Sequence, residues 1–420
     1  MSPLKSTNIQ NNSLTFCSKI NKFWSIVGLT NLWIDDGYKN KICNYYYNKT
    51  ITACILILIF LEFGALYTQS YLTEKQSNDL IIFTFSHPII FSYYIGLKYY
   101  KKKVKELLIM LFVTLKEVYN HPQTERRMIR SATFYSIAYV FCMSFSLISY
   151  GFDGLMQLMR SDGSFTTVIT AWPDVEDNSF IANLVRVLNY LVWWALMARV
   201  SAASTLIIIT SIAISHQYKN LQQYFYSLND LFETDVQRKH DEVETKYVDA
   251  LKVGIQLHSN TMWCTRQFQV VCNVVYSGQI TITVSALCLL MLQMVGSERT
   301  LSNALTIAAT MLAVLIATAM IMLNAGDITV EAALVPTAMY SSGWHNCRGA
   351  TSAKVRRLLV VAMMQGQKFT VLRSFGIVEI SYQSYLSVSK KDNISTFFHF
   401  TWIFVFMAVF SFLHYLYAIM

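Results

Sequence analysis

A chain of 420 residues that is 54% hydrophobic and only 14% charged falls well short of the roughly 25% charge of a soluble domain. With 5 Pro, 15 Gly and no low-complexity tract, it does not read as disordered either. The net charge of +9 would suit a nucleic-acid binder, but the basic residues stand in the connections between apolar runs, as in a membrane protein, so no nucleic acid is expected.

The first fifty residues are polar with scattered Lys and lack the pattern of a secretory signal, which leaves insertion to the first span. A bilayer core about 30 Å thick needs roughly 20 apolar residues in a helix. Six runs meet this length, at residues 51–72, 80–97, 131–150, 181–215, 270–295 and 301–324, and a seventh is expected beyond residue 358. Twenty-six Lys and Arg precede the first span, fill the connections after spans two and four, or follow span six; the alternate connections hold only Lys75, Arg160 and Arg299. That bias predicts a cytoplasmic N-terminus. Seven spans then put the C-terminus outside, the reverse of a G-protein-coupled receptor. No inverted repeat with broken helices points to a transporter.

Between spans four and five, Leu221, Tyr224, Phe225, Leu228, Leu231 and Phe232 recur at spacings of three and four. This predicts a helix with one apolar face, so spans four and five should run on below the membrane. The charged run around Arg238, Lys239, Asp241, Glu242, Glu244 and Lys246 reads as a solvated face.

No phosphate-binding Gly-rich loop, G-x-S-x-G or H-E-x-x-H occurs, so neither an enzyme nor a cofactor is expected. Eight Cys stand singly with no metal-ligand spacing, and free thiols without a metal are expected. Within the spans, Glu62 is the clear acid and His87 is a lone histidine, read as a pocket or packing group. Arg186 is expected to reach the outer surface; the deeper Arg199 is read as either an ion-pair member or a functional group. The outer halves of spans two to four carry bulky groups: Phe83, Phe85, His87 and Phe91; Met143, Phe145 and Tyr150; Tyr190, Trp193, Trp194 and Met197. Aromatics and Met make adaptable apolar pockets, with ordinary packing the alternative for any one of them. On this reading, Trp194→Ala or Phe145→Ala shifts ligand ranking.

Residues Asp327, Ile328, Thr329, Val330 and Glu331, followed by Ala338, Met339, Tyr340, Ser341, Ser342, Gly343 and Trp344, resemble the segment after the sixth span of moth and butterfly odorant receptors. Upstream, Ile214, Ser215, His216 and Gln217 with Lys219, Asn220 and Leu221 match the same family, as do Leu257, His258 and Ser259 with Cys264, Thr265, Arg266 and Gln267. The resemblance spans roughly residues 25–388 and is more specific in the second half. It implies an all-α membrane protein of seven transmembrane helices with inverted topology, the insect odorant receptor channel fold.

The resemblance also implies a small volatile odorant as ligand and a non-selective cation channel formed with the odorant receptor co-receptor as a hetero-oligomer of four subunits. Such a channel would sit in the plasma membrane of olfactory sensory neurons, in contact with membrane lipid. The chain then divides into a cytoplasmic segment 1–50, pocket helices 51–215, a cytoplasmic extension 216–266, helices five to seven over 267–388, and a tail 389–420. The family's subunit anchor would draw on Tyr340, Trp344 and a helix over 353–367. Its pore helix would run from Ser374, with Val378, Ser381, Tyr382 and Tyr385 lining the pore. The tail departs from the family pattern: Lys390, Lys391 and Asp392 precede an apolar run over 397–420. Either a replaced terminal segment has blunted the last helix, or residues 397–419 form the final span. The alternatives for function are a gustatory-type receptor channel and a non-functional splice isoform.

Overall fold

The computed structural model describes residues 12–29, 41–159, 164–234, 240–296, 301–368 and 371–380. They are almost entirely helical: α1 (Asn12–Val27), α2 (Lys41–Thr68), α3 (Glu74–Tyr99), α4 (Lys101–Ile109), α5 (Leu115–Val118), α6 (Pro122–Leu158), α7 (Phe180–Ser227), α8 (Asp230–Thr234), α9 (His240–Gly296), α10 (Leu301–Tyr340) and α11 (Gly349–Gly366). A π-helical turn, Met110–Thr114, joins α4 to α5. Among the described residues six helices are long and apolar enough to cross a membrane: α2, α3, α6, α7, α9 and α10. The chain is a multi-pass membrane protein.

Local chemistry sets the helix starts. Thr73 and Gln76 form a reciprocal capping box at α3, satisfying two otherwise orphan backbone donors. Pro122 opens α6 at a position where its missing N–H costs nothing. The Ser179 hydroxyl accepts from Ala182 N at 3.2 Å at the start of α7.

Helices α7 and α9 have 48 and 57 residues. At about 1.5 Å per residue α9 is some 85 Å long, far more than a membrane core needs. Both helices continue past the apolar runs, as the periodicity after span four predicts; Leu221, Tyr224, Phe225 and Leu228 are buried there. Lys219 pairs with Glu331 of α10 at 3.4 Å, the Tyr224 hydroxyl donates to Ala250 O at 2.8 Å, and the Tyr247 and Ser342 hydroxyls bond at 2.7 Å.

Helix α7 is the axis of the bundle, and every residue from 199 to 218 is buried. Ser201, Ala202, Ala203 and Ser204 are small enough to let neighbouring helices approach closely. Helix α6 lies at the periphery. Phe134, Ile137, Phe141, Phe145, Ile148 and Phe152, spaced three or four apart, are all exposed; an outward apolar stripe suits a lipid face and not water.

The two intramembrane arginines differ from expectation. Arg186 is buried; it bonds Asn183 Oδ1 at 2.9 Å and the carbonyls of Asp174 and Asp177 at 2.6 and 2.8 Å, so it clamps the loop before α7. Arg199, only 1% exposed, bonds Thr52 Oγ1 at 2.7 Å and Asn48 O at 3.1 Å and lies over the Tyr94 ring at 4.8 Å. Among the described residues it has no carboxylate partner, and it ties α7 to α2 and α3 through neutral acceptors and a cation–π contact.

The expected helix from Ser374 does not begin there. Arg373–Ser374 (β1) and Val378–Glu379 (β2) form a short antiparallel hairpin. Phe375 and Gly376, in the three-residue tip between the paired Ser374 and Val378, have φ of 53° and 73°, in the left-handed region that glycine adopts most readily. The Gln269 side chain of α9 brackets β1, accepting from Arg373 N at 2.7 Å and donating to Arg373 O at 2.6 Å.

Candidate ligand pocket

A cavity of about 110 Å³ lies inside the bundle, walled by α3, α6, α7, α9 and α10. An apolar cavity of about 150 Å³ holds benzene, so the space is of the size that a small organic molecule fills with modest side-chain movement. From α3 come Phe83, His87 and Tyr93; from α6, Met143 and Tyr150; from α7, Trp193 and Met197. Phe83 stacks on His87 with ring centroids 5.1 Å apart and planes 4° from parallel. Trp193 stands 4.9 Å from Phe83 and 5.4 Å from Tyr150. The aromatic wall is therefore one interlocked cluster drawn from three helices.

Of the nine residues expected to contact ligand, His87, Met143, Tyr150 and Trp193 line this cavity. Tyr190 stands behind the wall, its ring centroid 6.1 Å from Trp193 and 6.4 Å from Trp194, with its hydroxyl on Leu147 O at 2.8 Å. Trp194 is half-buried beside it and off the wall. Phe91 is buried but packs on Tyr94 at 6.0 Å, and Phe85 is half-buried away from the cavity. Phe145 is 44% exposed and stacks on Phe141 at 6.3 Å along the outer stripe of α6. Helical rotation separates these groups: residues two positions apart, such as 143 and 145, face nearly opposite ways.

The far wall escaped the sequence reading. Gln279, Ile282 and Ala286 of α9 and Thr310, Ala313 and Ala317 of α10 complete the cavity. Ala286, Thr310, Ala313 and Ala317 are small or hydroxylated, and a search for aromatic and Met groups passes over them and over Gln279 and Ile282 alike. Their signal was the four-residue spacing of Ala313 and Ala317, which opens space on one helix face.

Polar groups on the wall are few and mostly paired. The Ser146 and Thr310 hydroxyls bond at 3.2 Å, and Gln279 Nε2 donates to Thr318 Oγ1 at 3.0 Å. His87 is not alone: its Nδ1 lies 2.7 and 2.9 Å from the two carboxylate oxygens of Glu62 on α2, and the pair is 2% and 0% exposed. Towards the α3 N-terminus, Asp79 accepts from Gln293 Nε2 at 3.2 Å and Tyr150 Oη at 3.4 Å, and Lys75 pairs with Asp153. The loop held by Arg186 folds over this end, with Val168 and Ile169 buried and Ala171 N on Leu61 O at 2.8 Å. Hydrogen bonds from Ser179 hold the Asp177 carboxyl of that loop below the usual carboxylate range.

The remaining expected residues lie elsewhere. Tyr340 is 59% exposed, its ring 5.9 Å from Trp344, and the Arg356 guanidinium of α11 stands 5.6 Å over Trp344. Val378 is half-buried in β2, and not on a helix. Ser381, Tyr382, Tyr385 and both alternatives for the tail lie outside the described residues. No group of three or more His, Cys, Asp or Glu among the described residues is placed to hold a metal.

The solved structures of the insect olfactory receptor OR5 from Machilis hrabei have this fold. Against the receptor by itself the TM-score is 0.72 at 12% identity, covering 93% of this chain and 98% of that one. Against the receptor in complex with eugenol it is 0.70 at 11% identity, covering 95% and 98%. No curated protein matches the chain. A family model described as 7tm odorant receptor matches residues 81–391, most of the chain, and the protein belongs to that odorant receptor family.

Proposed function

We propose that this protein is the odorant-binding subunit of a ligand-gated, non-selective cation channel in the plasma membrane of olfactory sensory neurons. A small apolar volatile enters the cavity between α3, α6, α7, α9 and α10. The observation that carries the reading is that cavity itself, apolar and aromatic-lined inside a bundle of odorant receptor fold. Ligand shifts the open–closed equilibrium only through its differential affinity for the two arrangements; a wall of Met and aromatic rings drawn from several helices gives that difference somewhere to arise. Four subunits, this chain together with the odorant receptor co-receptor, surround one pore. Tyr340, Trp344 and α11 make the contacts between subunits: α11 keeps Val360, Val361 and Met364 exposed on the single chain, an apolar face that assembly would cover. The N-terminus and the basic ends of α7, α9 and α10 are cytoplasmic.

Recording currents with and without the co-receptor, over a panel of volatiles, tests this reading. Odorant-evoked cation current is expected only with both chains present. Current from this chain alone would favour the gustatory-type alternative. The family match stops at residue 391, which favours a second reading for the last segment, a tail that replaces the usual pore-helix ending. In that case no current flows even with the co-receptor, and restoring a family-type terminus recovers it.

A further inference from the structure

The Glu62–His87 pair defines a ligand chemistry beyond size and apolarity. His87 lines the cavity, and its Nδ1 is occupied by both Glu62 oxygens. Its Nε2 has no protein partner among the described residues. One proton must lie on the Nδ1–carboxylate line. Two arrangements leave the buried pair without net charge. Either an imidazolium faces a carboxylate, or a neutral acid donates to Nδ1 while the imidazole proton sits on Nε2. Both place a proton on Nε2. The third arrangement, a carboxylate facing Nδ1–H with bare Nε2, leaves a net negative charge on a Glu62 that is 0% exposed with His87 as its one ion-pair partner among the described residues, and a single neutral N–H offsets only part of the desolvation of a carboxylate.

A neighbouring wall residue carries a second unpartnered donor. The Trp193 indole, 5.8 Å from the imidazole between centroids, has a buried Nε1 with no hydrogen-bond partner, and indole N–H only donates. Among the wall hydroxyls, those of Ser146 and Thr310 are already bonded to each other. An alcohol or acid ligand would add a further donor; a carbonyl adds only acceptor lone pairs. The stacked Phe83 ring and the Glu62 bond together fix the imidazole plane, so Nε2 is a preorganised donor.

We propose that His87 Nε2–H is the directional donor of the cavity, held by Glu62 as a positioning residue, and that the ligands are small ketones, aldehydes or esters whose carbonyl oxygen accepts from it. The inference rests on the cavity being the ligand site. The test compares carbonyl compounds with hydrocarbon isosteres in which C=CH2 replaces C=O, including acetophenone with α-methylstyrene and 2-heptanone with 2-methyl-1-heptene. Both members of each pair are applied to the full chain with the co-receptor. The carbonyl member should act at a concentration at least about tenfold lower, the worth of one good hydrogen bond to a charged or polarised donor. His87→Phe, with surface delivery checked, should bring the two within about threefold. Equal potency in the unaltered receptor overturns the inference, and needs no variant to fold; so does a carbonyl preference that survives His87→Phe. Thermal unfolding of the purified chain with the same probes separates the two readings. Stabilisation by carbonyl compounds without current keeps the ligand chemistry and removes the channel reading, whereas stabilisation by neither class, with no current, overturns the ligand chemistry.

Discussion

At the residue scale, cavity membership turns on helix rotation as much as on residue type. Met143 and Phe145 sit two positions apart, yet one lines the cavity and the other is 44% exposed. Trp193 and Trp194 differ in the same way. Trp193→Ala or Met197→Ala should therefore reorder the odorant panel, with half-maximal concentrations moving by about tenfold or more for large ligands, because truncating a wall residue removes about 2–5 kcal/mol of packing. Phe145→Ala should leave the ranking as it was, a reversal of the expectation drawn from composition; a changed ranking would place its side chain inward. Arg199 is a different case. Its guanidinium serves Thr52, Asn48 and Tyr94 at once, and Arg199→Met removes all three of these contacts between α7 and its neighbours. Surface delivery, read by cell-surface labelling, should fall several-fold, and Arg199→Lys should rescue only part of it because an ammonium lacks the fork geometry.

At the element scale, ends and turns obey local rules that the sequence spells out. The capping box of α3 needs both Thr73 and Gln76, and Thr73→Ala should cost about 1 kcal/mol of stability, measured as a lowered midpoint of thermal unfolding in detergent. The hairpin that replaces the start of the expected last helix depends on Gly376, whose φ is +73°. Gly376→Val forces a β-branched residue into the left-handed region at a cost of about 1–2 kcal/mol, and hydrogen exchange at the Arg373 amide should accelerate; unchanged protection there would show that the turn does not need Gly. Helices α7 and α9 illustrate the opposite limit. Their apolar runs give a span, but only the continuation of the same face through Leu221, Tyr224 and Phe225 reveals that the helix does not stop at the membrane surface.

For the whole molecule, the buried charges at the basic end are the most exposed to pH. Lys116 is 2% exposed and its Nζ has no hydrogen-bond partner among the described residues. Burial pushes its amine down to about 8 from 10.5, against the pull of the Glu125 charge. Glu125 in turn accepts from Ser13 N at 2.9 Å and Ser13 Oγ at 2.5 Å, so this cluster pins α1 to the bundle. Because the folded value lies below the unfolded one, the unfolded chain holds more protons between about pH 8 and 10.5, and Lys116 makes stability rise with pH across that window. Lys116→Met should abolish that component, seen as a gap between variant and parent unfolding midpoints that changes over this range; parallel curves would put the amine in contact with water. Epitope tags at the N-terminus test orientation: labelling only after permeabilisation is expected, and labelling of intact cells would reverse the bundle.

Read alone, the residues determined the class, the six described spans and the kinship. An uninterrupted apolar run has one stable form across hydrocarbon, a helix that satisfies its own backbone, and runs such as 301–324 are visible without any partner. The motif from Asp327 to Trp344 carried the family for the same local reason, since it is contiguous in the chain. What the tertiary structure decided is which faces meet. Glu62 and His87 are far apart in the chain and come together only when α2 packs on α3. The far wall from α9 and α10 becomes a cavity wall only opposite the rings of α3, α6 and α7. In lipid, an outward Phe and an inward Phe are equally apolar, so hydropathy cannot tell them apart; the choice between them belongs to helix packing.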